Sequence, residues 1–257
     1  PGMPQRRRFS MILAAALLAT SAFTGTSHVV FAAQDPEAVC SEGQLPTMWD
    51  DENHPPTTVR VLRTKGPNAG HVETVNFWTY VGVVLKAEYS GNQMAAPYMQ
   101  IGALTVKQYA WYYTMHWRGT KVSFTVTNED GSTTTTVECY DVKDTSLDQV
   151  YKPEKADPAN PGQWLPANQP SGANLRAMRE TWHLSMRKWM NKKNKSRIFL
   201  SGYRAGTKRP CGTDADGFKV YQKSLKDCAA KGLSLEETMR EYFEPNLLIV
   251  DGRQHDI

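Results

Sequence analysis

The chain has 257 residues, with 30 Lys and Arg residues against 26 Asp and Glu residues, and 40% of its residues are hydrophobic. This composition is typical of a globular protein with an ordinary core. A candidate signal segment at 1–33 holds three of the arginines and no acid, so its removal leaves 27 basic and 26 acidic residues. A balance of +1 excludes the strongly basic chains whose charge attracts nucleic acid, and no nucleic-acid partner is expected.

The N-terminus has the pattern of an export signal. Three arginines at 6–8 precede an apolar run at 11–23, and Ala32-Ala33 before Gln34 offers a cleavage point. The apolar run is shorter than the roughly 20 residues that span a bilayer, although an uncleaved anchor is an alternative. We therefore expect a secreted or cell-wall-associated protein outside the cytoplasm, which touches the membrane only through this segment.

Four cysteines follow the signal segment, at positions 40, 139, 211 and 228. An even count in an exported chain favours two disulfides, and four cysteines allow three connectivities. We favour Cys211–Cys228, which would join a glycine-containing loop to a helix, and Cys40–Cys139 by elimination. A metal site is less favoured because close pairs such as C-x-x-C do not occur in the sequence.

The first half of the chain contains strand, helix and hairpin signals. Residues 34–56 are polar and form an N-terminal extended segment, and a single domain is predicted over 57–252. Short apolar runs flanking turn residues predict strands, and periodic apolar positions predict helices. The predicted strands are 59–62, 72–77, 121–126 and 134–140, and the predicted helices are 78–88 and 98–117.

The second half begins with a proline-rich stretch at 152–172, which predicts a long surface loop. Helices are predicted at 175–190, at 218–231 with Gly232 at its C-terminal cap, and after an N-cap serine at Ser234. Strands are predicted at 198–201 and 247–250. Hairpins and helices without regular strand–helix alternation indicate an α+β fold with several helices.

Glu88 is the carboxylate that could carry chemistry. It projects from the same side of its predicted helix as the apolar residues Val81 and Leu85, and it lies at the helix C-terminus. Partial desolvation and the helix dipole both disfavour a negative charge there, as in the general acids of glycosidases. The alternative is a surface glutamate at a frayed helix end, which periodicity alone favours.

Four segments resemble one known family. Residues 80–88 read YVGVVLKAE, with the glutamate eight positions after the tyrosine, and residues 100–111 read QIGALTVKQYAW. Residues 139–151 carry an Asp-Thr and a Gln-Val-Tyr, and Gly217, Gln222 and Gly232 follow in order within 217–232. In this order the segments resemble the stage II sporulation protein D and amidase-enhancer (LytB-like) family, over about 57–250.

The resemblance implies a lytic transglycosylase that cleaves peptidoglycan at the MurNAc–GlcNAc bond, or a relative that enhances a wall amidase without catalysis. It implies that Glu88 is the catalytic acid and base, and that no cofactor or metal is needed. The resemblance also implies a groove for glycan on the α+β fold, and the expected partners are peptidoglycan glycan strands and a wall amidase. The substrate-binding residues that it implies are Lys107, Tyr109, Asp144, Gln149 and Gln222.

Four features depart from the family pattern. The glycine at Gly82 falls one position early, and the family's Ser-Gln reads Tyr221-Gln222 here. The family's His-Gly-x-Gly stretch reads Asp216-Gly217-Phe218-Lys219 here, so the contact made by that histidine has no counterpart. The cysteine–histidine zinc site of some members has no counterpart either.

Other polar and aromatic groups have two readings. Asp214 and Asp216 could open a calcium loop, but a turn is favoured because the later glutamate is missing. Asp141, Asp144 and Asp148 could bind a cation, but turn formation is favoured. The aromatic run that includes Trp111 and Tyr113 covers more than one helix face, so it is expected to be partly core and partly groove wall.

Overall fold

The computed structural model describes residue 40 and residues 45–89, 96–190, 195–206 and 210–255. The predicted signal segment at 1–33 lies outside the described residues. The described chain folds as one α+β domain, in which helices pack with short strands that form small sheets. The predicted fold class is therefore confirmed.

The elements follow one another without regular strand–helix alternation. The first half contains β1 (Thr58–Leu62), β2 (Val72–Asn76), α1 (Phe77–Glu88), α2 (Ala96–Met115), β3 (Lys121–Thr127), β4 (Thr133–Cys139) and β5 (Val142–Lys143). The second half contains β6 (Glu154–Ala156), β7 (Trp164–Pro166), α3 (Gly172–Thr181), β8 (Leu184–Met190), β9 (Lys195–Ile198), β10 (Gly202–Arg204), β11 (Lys219–Tyr221), α4 (Gln222–Ala230), α5 (Leu235–Phe243) and β12 (Leu247–Asp251), before a short 3-10 helix (Gly252–His255).

The strands form sheets of two or three. Strand β1 pairs antiparallel with β2 and parallel with β5, and β8 lies between β12 and β9 in an antiparallel sheet. Strands β3 and β4 form the predicted hairpin, while β10 and β11 pair in parallel. Because β10 and β11 pair, residues 202–204 lie beside residues 219–221, although they are distant in the sequence.

Helix α2 is the centre of the core, and it packs against α1, α3, α4 and α5. Its residues Ile101 and Trp111 are fully buried. At Gly102 the helix comes so close to the end of α1 that a Cβ there would lie 2.7 Å from Cδ1 of Tyr89. Glycine is therefore required at this crossing, and the crossing fixes the chain immediately after Glu88.

Two predicted helices are too long in the sequence-based assignment. The helix predicted at 175–190 ends at Thr181, and Leu184–Met190 is a strand paired on both edges. Leucine, methionine, arginine and lysine favour helices, so tertiary pairing overrides local propensity here. Likewise the helix predicted at 218–231 begins only at Gln222, because Lys219–Tyr221 pairs with β10.

Smaller differences concern a loop and a strand. The stretch predicted as a long surface loop contains the antiparallel pair β6–β7, on which Trp164 and Leu165 remain 40% and 38% exposed. The strand predicted at 198–201 is found three residues earlier, at Lys195–Ile198. Neither change alters the arrangement of the core.

The cysteines form the two pairs that the sequence analysis favours. Cys211 pairs with Cys228, with their Cα atoms 4.8 Å apart, and Cys40 pairs with Cys139, with a Cα separation of 5.8 Å. Two disulfides fit an extracellular protein, since such bonds persist in oxidising compartments. In the part of the chain that the structure describes, no helix is long and apolar enough to cross a membrane.

The junction between α4 and α5 follows the predicted capping pattern. Gly232 has a φ of +74° and donates its N–H to the carbonyl of Ala229. The Ser234 side chain accepts the N–H of Glu237, whose carboxylate in turn accepts the N–H of Ser234. These contacts satisfy backbone groups that the helix ends would leave without partners.

Replacing Gly232 with alanine is expected to lower the free energy of unfolding by about 1 kcal/mol, because an L-residue is strained at positive φ. The space around a Cβ at this position is open, so the cost arises in the backbone alone. Gly172→Ala is the matched control, since Gly172 also has open space but lies in a helix, where alanine stabilises by about 0.4–1 kcal/mol. Urea denaturation of both variants would contradict this account if the two changes had the same sign.

Candidate functional site

A groove with a volume of about 440 Å³ opens beside the end of α1. It lies where α1, α2, the loop at 146–148, the β10 region and the start of α4 meet. Its walls combine carboxylates, cations, an amide and tyrosine rings. The lining residues are Glu88, Tyr109, Tyr113, Ser146, Leu147, Asp148, Leu200, Gly202, Tyr203, Arg204, Ala205, Lys219 and Gln222.

Glu88 is held on the groove wall by contacts on its backbone and its side chain. It is the last residue of α1 and is half-buried. The N–H of Val150 donates to its Oε1 at 2.9 Å, and Gln222 Nε2 donates to its backbone carbonyl at 3.0 Å. No described donor reaches Oε2, so one carboxylate oxygen is oriented by the protein while the other remains available to a ligand.

The second carboxylate of the groove, Asp148, is already paired with a cation of the protein. Arg118 donates to both of its oxygens, at 3.0 and 2.9 Å, and the backbone N–H of Lys143 donates at 2.7 Å. The Tyr109 hydroxyl donates a further hydrogen bond at 2.9 Å. Its side chain is only 5% exposed and both of its oxygens are bound by these donors, so Asp148 has no oxygen left for a ligand.

The tyrosines of α2 form an aromatic wall that the same network makes rigid. The Arg118 guanidinium lies 3.8 Å from the centroid of Tyr113, whose ring meets that of Tyr109 edge-on. Burial, together with the charge of Asp148, raises the pKa of Tyr109, so its phenol stays protonated. Trp111, between them in sequence, is fully buried, so the aromatic run is divided between core and groove.

Tyr203 closes the wall next to Glu88. Its hydroxyl is buried and has no hydrogen-bond partner in the described part of the chain. Burial, followed by the negative charge of Glu88, raises its pKa well above the ordinary value. The Gln149 side chain lowers that pKa to a smaller extent, without reaching hydrogen-bond geometry. Tyr203 is therefore a neutral, rigid part of the wall.

Lys107, which the resemblance assigns to the substrate-binding wall, lies away from the groove in the structure. It is 1% exposed, and its Nζ donates to the carbonyls of Thr181, Trp182 and Leu184 at 2.6–2.7 Å. These carbonyls lie at the end of α3 and the start of β8. Burial lowers the pKa of Lys107, while its three acceptors and the helix dipole favour the ammonium form. Its position is that of an internal helix cap.

Asp144 and Gln149, which the resemblance assigns to the same wall, are also buried and do not line the groove. Asp144 accepts hydrogen bonds from the backbone and the hydroxyl of Thr64, at 2.9 and 2.6 Å. Gln149 is fully buried, accepts from the Tyr80 hydroxyl at 3.1 Å and donates to the carbonyl of Val106 at 3.2 Å. Both support the segment that carries Asp148 and Val150.

The structure therefore brings Glu88, Tyr109 and Gln222 together on one groove and places the other three candidates behind it. Sequence reasoning missed Tyr203 and Arg204, because the pairing of β10 with β11 carries them to Glu88 from a distant part of the chain. A tyrosine and an arginine next to a glycine at 202 give no local signal of a groove.

In the described residues, no group of three or more His, Cys, Asp or Glu side chains is placed to hold a metal ion. Asp141 accepts hydrogen bonds from Thr47 and from the N–H of Arg60. Asp216 accepts the backbone N–H groups of the two residues that follow Gly217, which is the favoured turn.

Comparison with protein-family models, with curated proteins and with solved structures finds no match to this chain. Its resemblance to the stage II sporulation protein D family is carried by the four sequence segments alone.

Proposed function

We propose that this chain is an exported lytic transglycosylase that cleaves peptidoglycan glycan strands, with Glu88 as its single acid and base. The observation that carries this proposal is the position of Glu88, whose carboxylate lies on the groove wall with one oxygen fixed by Val150. The disulfides fit work outside the cytoplasm, where this substrate is found.

The proposed reaction needs one carboxyl group. Glu88 donates its proton to the oxygen of the MurNAc–GlcNAc bond as the bond from that oxygen to C1 breaks. The resulting carboxylate accepts the proton of the C6 hydroxyl of MurNAc, and O6 of MurNAc bonds to its C1. The products are a free GlcNAc hydroxyl and a 1,6-anhydro ring, without any added water.

The pairing of Asp148 with Arg118 supports this chemistry over hydrolysis. Glycosidases that hydrolyse their substrate generally use two carboxyl groups, one as acid and one as base or nucleophile. Asp148 is bound by Arg118 and Tyr109, so it is not free for either of those roles. Glu88 remains as the groove's one carboxylate with an oxygen free of described donors.

The size and walls of the groove also suit a sugar. Its volume of about 440 Å³ is within the range of small-molecule sites. Tyr109 and Tyr113 offer apolar ring surface together with polar edges, a combination that fits the faces and hydroxyls of a pyranose.

The rival proposal is a non-catalytic module that binds glycan or enhances a wall amidase. The tyrosine wall of the groove favours it equally, because stacking and hydrogen bonding to a sugar do not need a reaction at Glu88. In that case Glu88 would only position the ligand.

Incubation of the purified protein with intact and with peptide-stripped glycan strands separates the two proposals. The transglycosylase releases soluble fragments from at least one kind of strand. Binding without release, combined with faster peptide removal by an added wall amidase, would support the module instead. If the protein neither binds nor cleaves either kind of strand, both proposals are wrong.

A further inference from the structure

Not every charged side chain of the groove has a partner of opposite charge. Asp148 is paired with Arg118, and Lys219 is paired with Asp216 at 2.9 Å. Arg204, by contrast, is exposed, and its side chain makes no hydrogen bond or ion pair with any residue in the described ranges. Arg204 is therefore the groove-lining cation whose charge is left open to a ligand.

The backbone of Arg204 is firmly placed although its guanidinium is open. Its strand pairs with β11, where Arg204 lies opposite Tyr221. On one side Tyr203 is packed edge-on against Tyr89, and on the other Gly206 is so close to the Tyr221 side chain that a Cβ would lie 2.8 Å from it. A flexible cationic side chain on a rigid strand next to a cavity is suited to select a ligand.

An arginine without a partner points to an anionic ligand. The guanidinium presents parallel N–H groups that match the two oxygens of a carboxylate. A neutral sugar offers hydroxyls and amides, and the tyrosines and Gln222 of the groove can bind these groups without a charge. The open charge of Arg204 therefore calls for a negative group on the ligand.

We propose that Arg204 is a specificity-determining residue that binds a carboxylate of the glycan ligand. This inference depends on the proposed function in that it takes a wall glycan as the ligand. Two carboxylates of such strands have the required chemistry. One is the lactyl carboxylate of MurNAc, which is free where the stem peptide has been removed, and the other is a carboxylate of the stem peptide itself.

The test compares Arg204→Gln with the parent protein, both carrying Glu88→Gln so that binding is measured without turnover. The ligands are peptide-stripped strands, peptide-bearing strands and chito-oligosaccharides of similar length, which have the sugar backbone without the lactyl group. We expect Arg204→Gln to bind one of the acidic ligands about fivefold more weakly, the effect of an exposed ion pair, and to bind the chito-oligosaccharide unchanged.

Lys226→Gln is the matched control, because Lys226 is exposed on α4, is not among the groove-lining residues and carries the same charge. A loss confined to peptide-stripped strands identifies the lactyl carboxylate, and a loss confined to peptide-bearing strands identifies the stem peptide. Arg204→Lys is expected to recover only part of the affinity, since lysine lacks the planar fork.

Two results would overturn the inference. Arg204→Gln could bind every ligand as Lys226→Gln does, or it could lose the same affinity for the chito-oligosaccharide as for the acidic strands. Either result leaves the proposed function standing. If the parent protein binds none of the three ligands, the proposed function and this inference are both wrong.

Discussion

Replacing Glu88 with glutamine is expected to slow the cleavage of glycan strands by about 10²–10⁴-fold, the usual contribution of a general acid and base. Glutamine has nearly the same shape, and its amide oxygen can still accept the N–H of Val150, so the groove should keep its form. What the variant loses is the proton that the leaving oxygen requires. The initial rate of fragment release from purified strands measures the effect.

The control for this change is Glu129→Gln, which removes the same charge from an exposed position in the turn between β3 and β4. The cleavage rate of Glu129→Gln should equal that of the wild-type protein. The affinity of Glu88→Gln for glycan strands should remain within a few-fold of the wild-type affinity. An undiminished rate in Glu88→Gln would exclude Glu88 as the acid.

Replacing Lys107 with methionine is expected to lower the free energy of unfolding by about 2–3 kcal/mol. The change leaves three carbonyls, at the end of α3 and the start of β8, without the ammonium donor, and buried acceptors without partners are costly. Part of the cost is offset, because a buried methionine does not have the desolvation penalty of an ammonium group. The midpoint of urea denaturation gives the size of the loss.

A second readout separates this structural role from a place in the ligand site. The folded fraction of Lys107→Met should bind glycan strands as the wild-type protein does, since Lys107 does not line the groove. Lys226→Met, on the exposed side of α4, should change neither quantity. Unchanged stability together with weaker strand binding would show that Lys107 belongs to the ligand site after all.

The elements that the sequence predicts well are those whose signals are local. Helices α1 and α2 have long apolar patterns, and the β3–β4 hairpin has alternating strands around Glu129-Asp130-Gly131. The caps at Gly232 and Ser234 depend on short-range chemistry, so they are found where the sequence places them. In each case the residues that decide the structure are neighbours in the chain.

The predictions that fail are those in which distant pairing decides. Residues 184–190 have helix-forming side chains but lie between β12 and β9. Lys219–Tyr221 is drawn into a strand by β10 in the same way. Residue types alone do not indicate which segments will meet, so local propensity gives the wrong element here.

The candidate site residues show the same limit of local sequence information. Glu88, Tyr109 and Gln222 line the groove, whereas Lys107 and Asp144 are buried in hydrogen-bond networks. A motif marks polar residues that a fold needs without separating those that face a ligand from those that support the wall. Burial and partner geometry make that separation, and they are properties of the folded chain.

The most direct test of the central claim is the chemistry of the new strand ends made by the wild-type protein, read by mass spectrometry. Lytic cleavage by Glu88 predicts MurNAc ends that carry the 1,6-anhydro ring, and it predicts that Glu88→Gln forms these ends about 10²–10⁴-fold more slowly. Ends that have gained water would show hydrolysis instead. Anhydro ends formed equally by both proteins would contradict the role of Glu88.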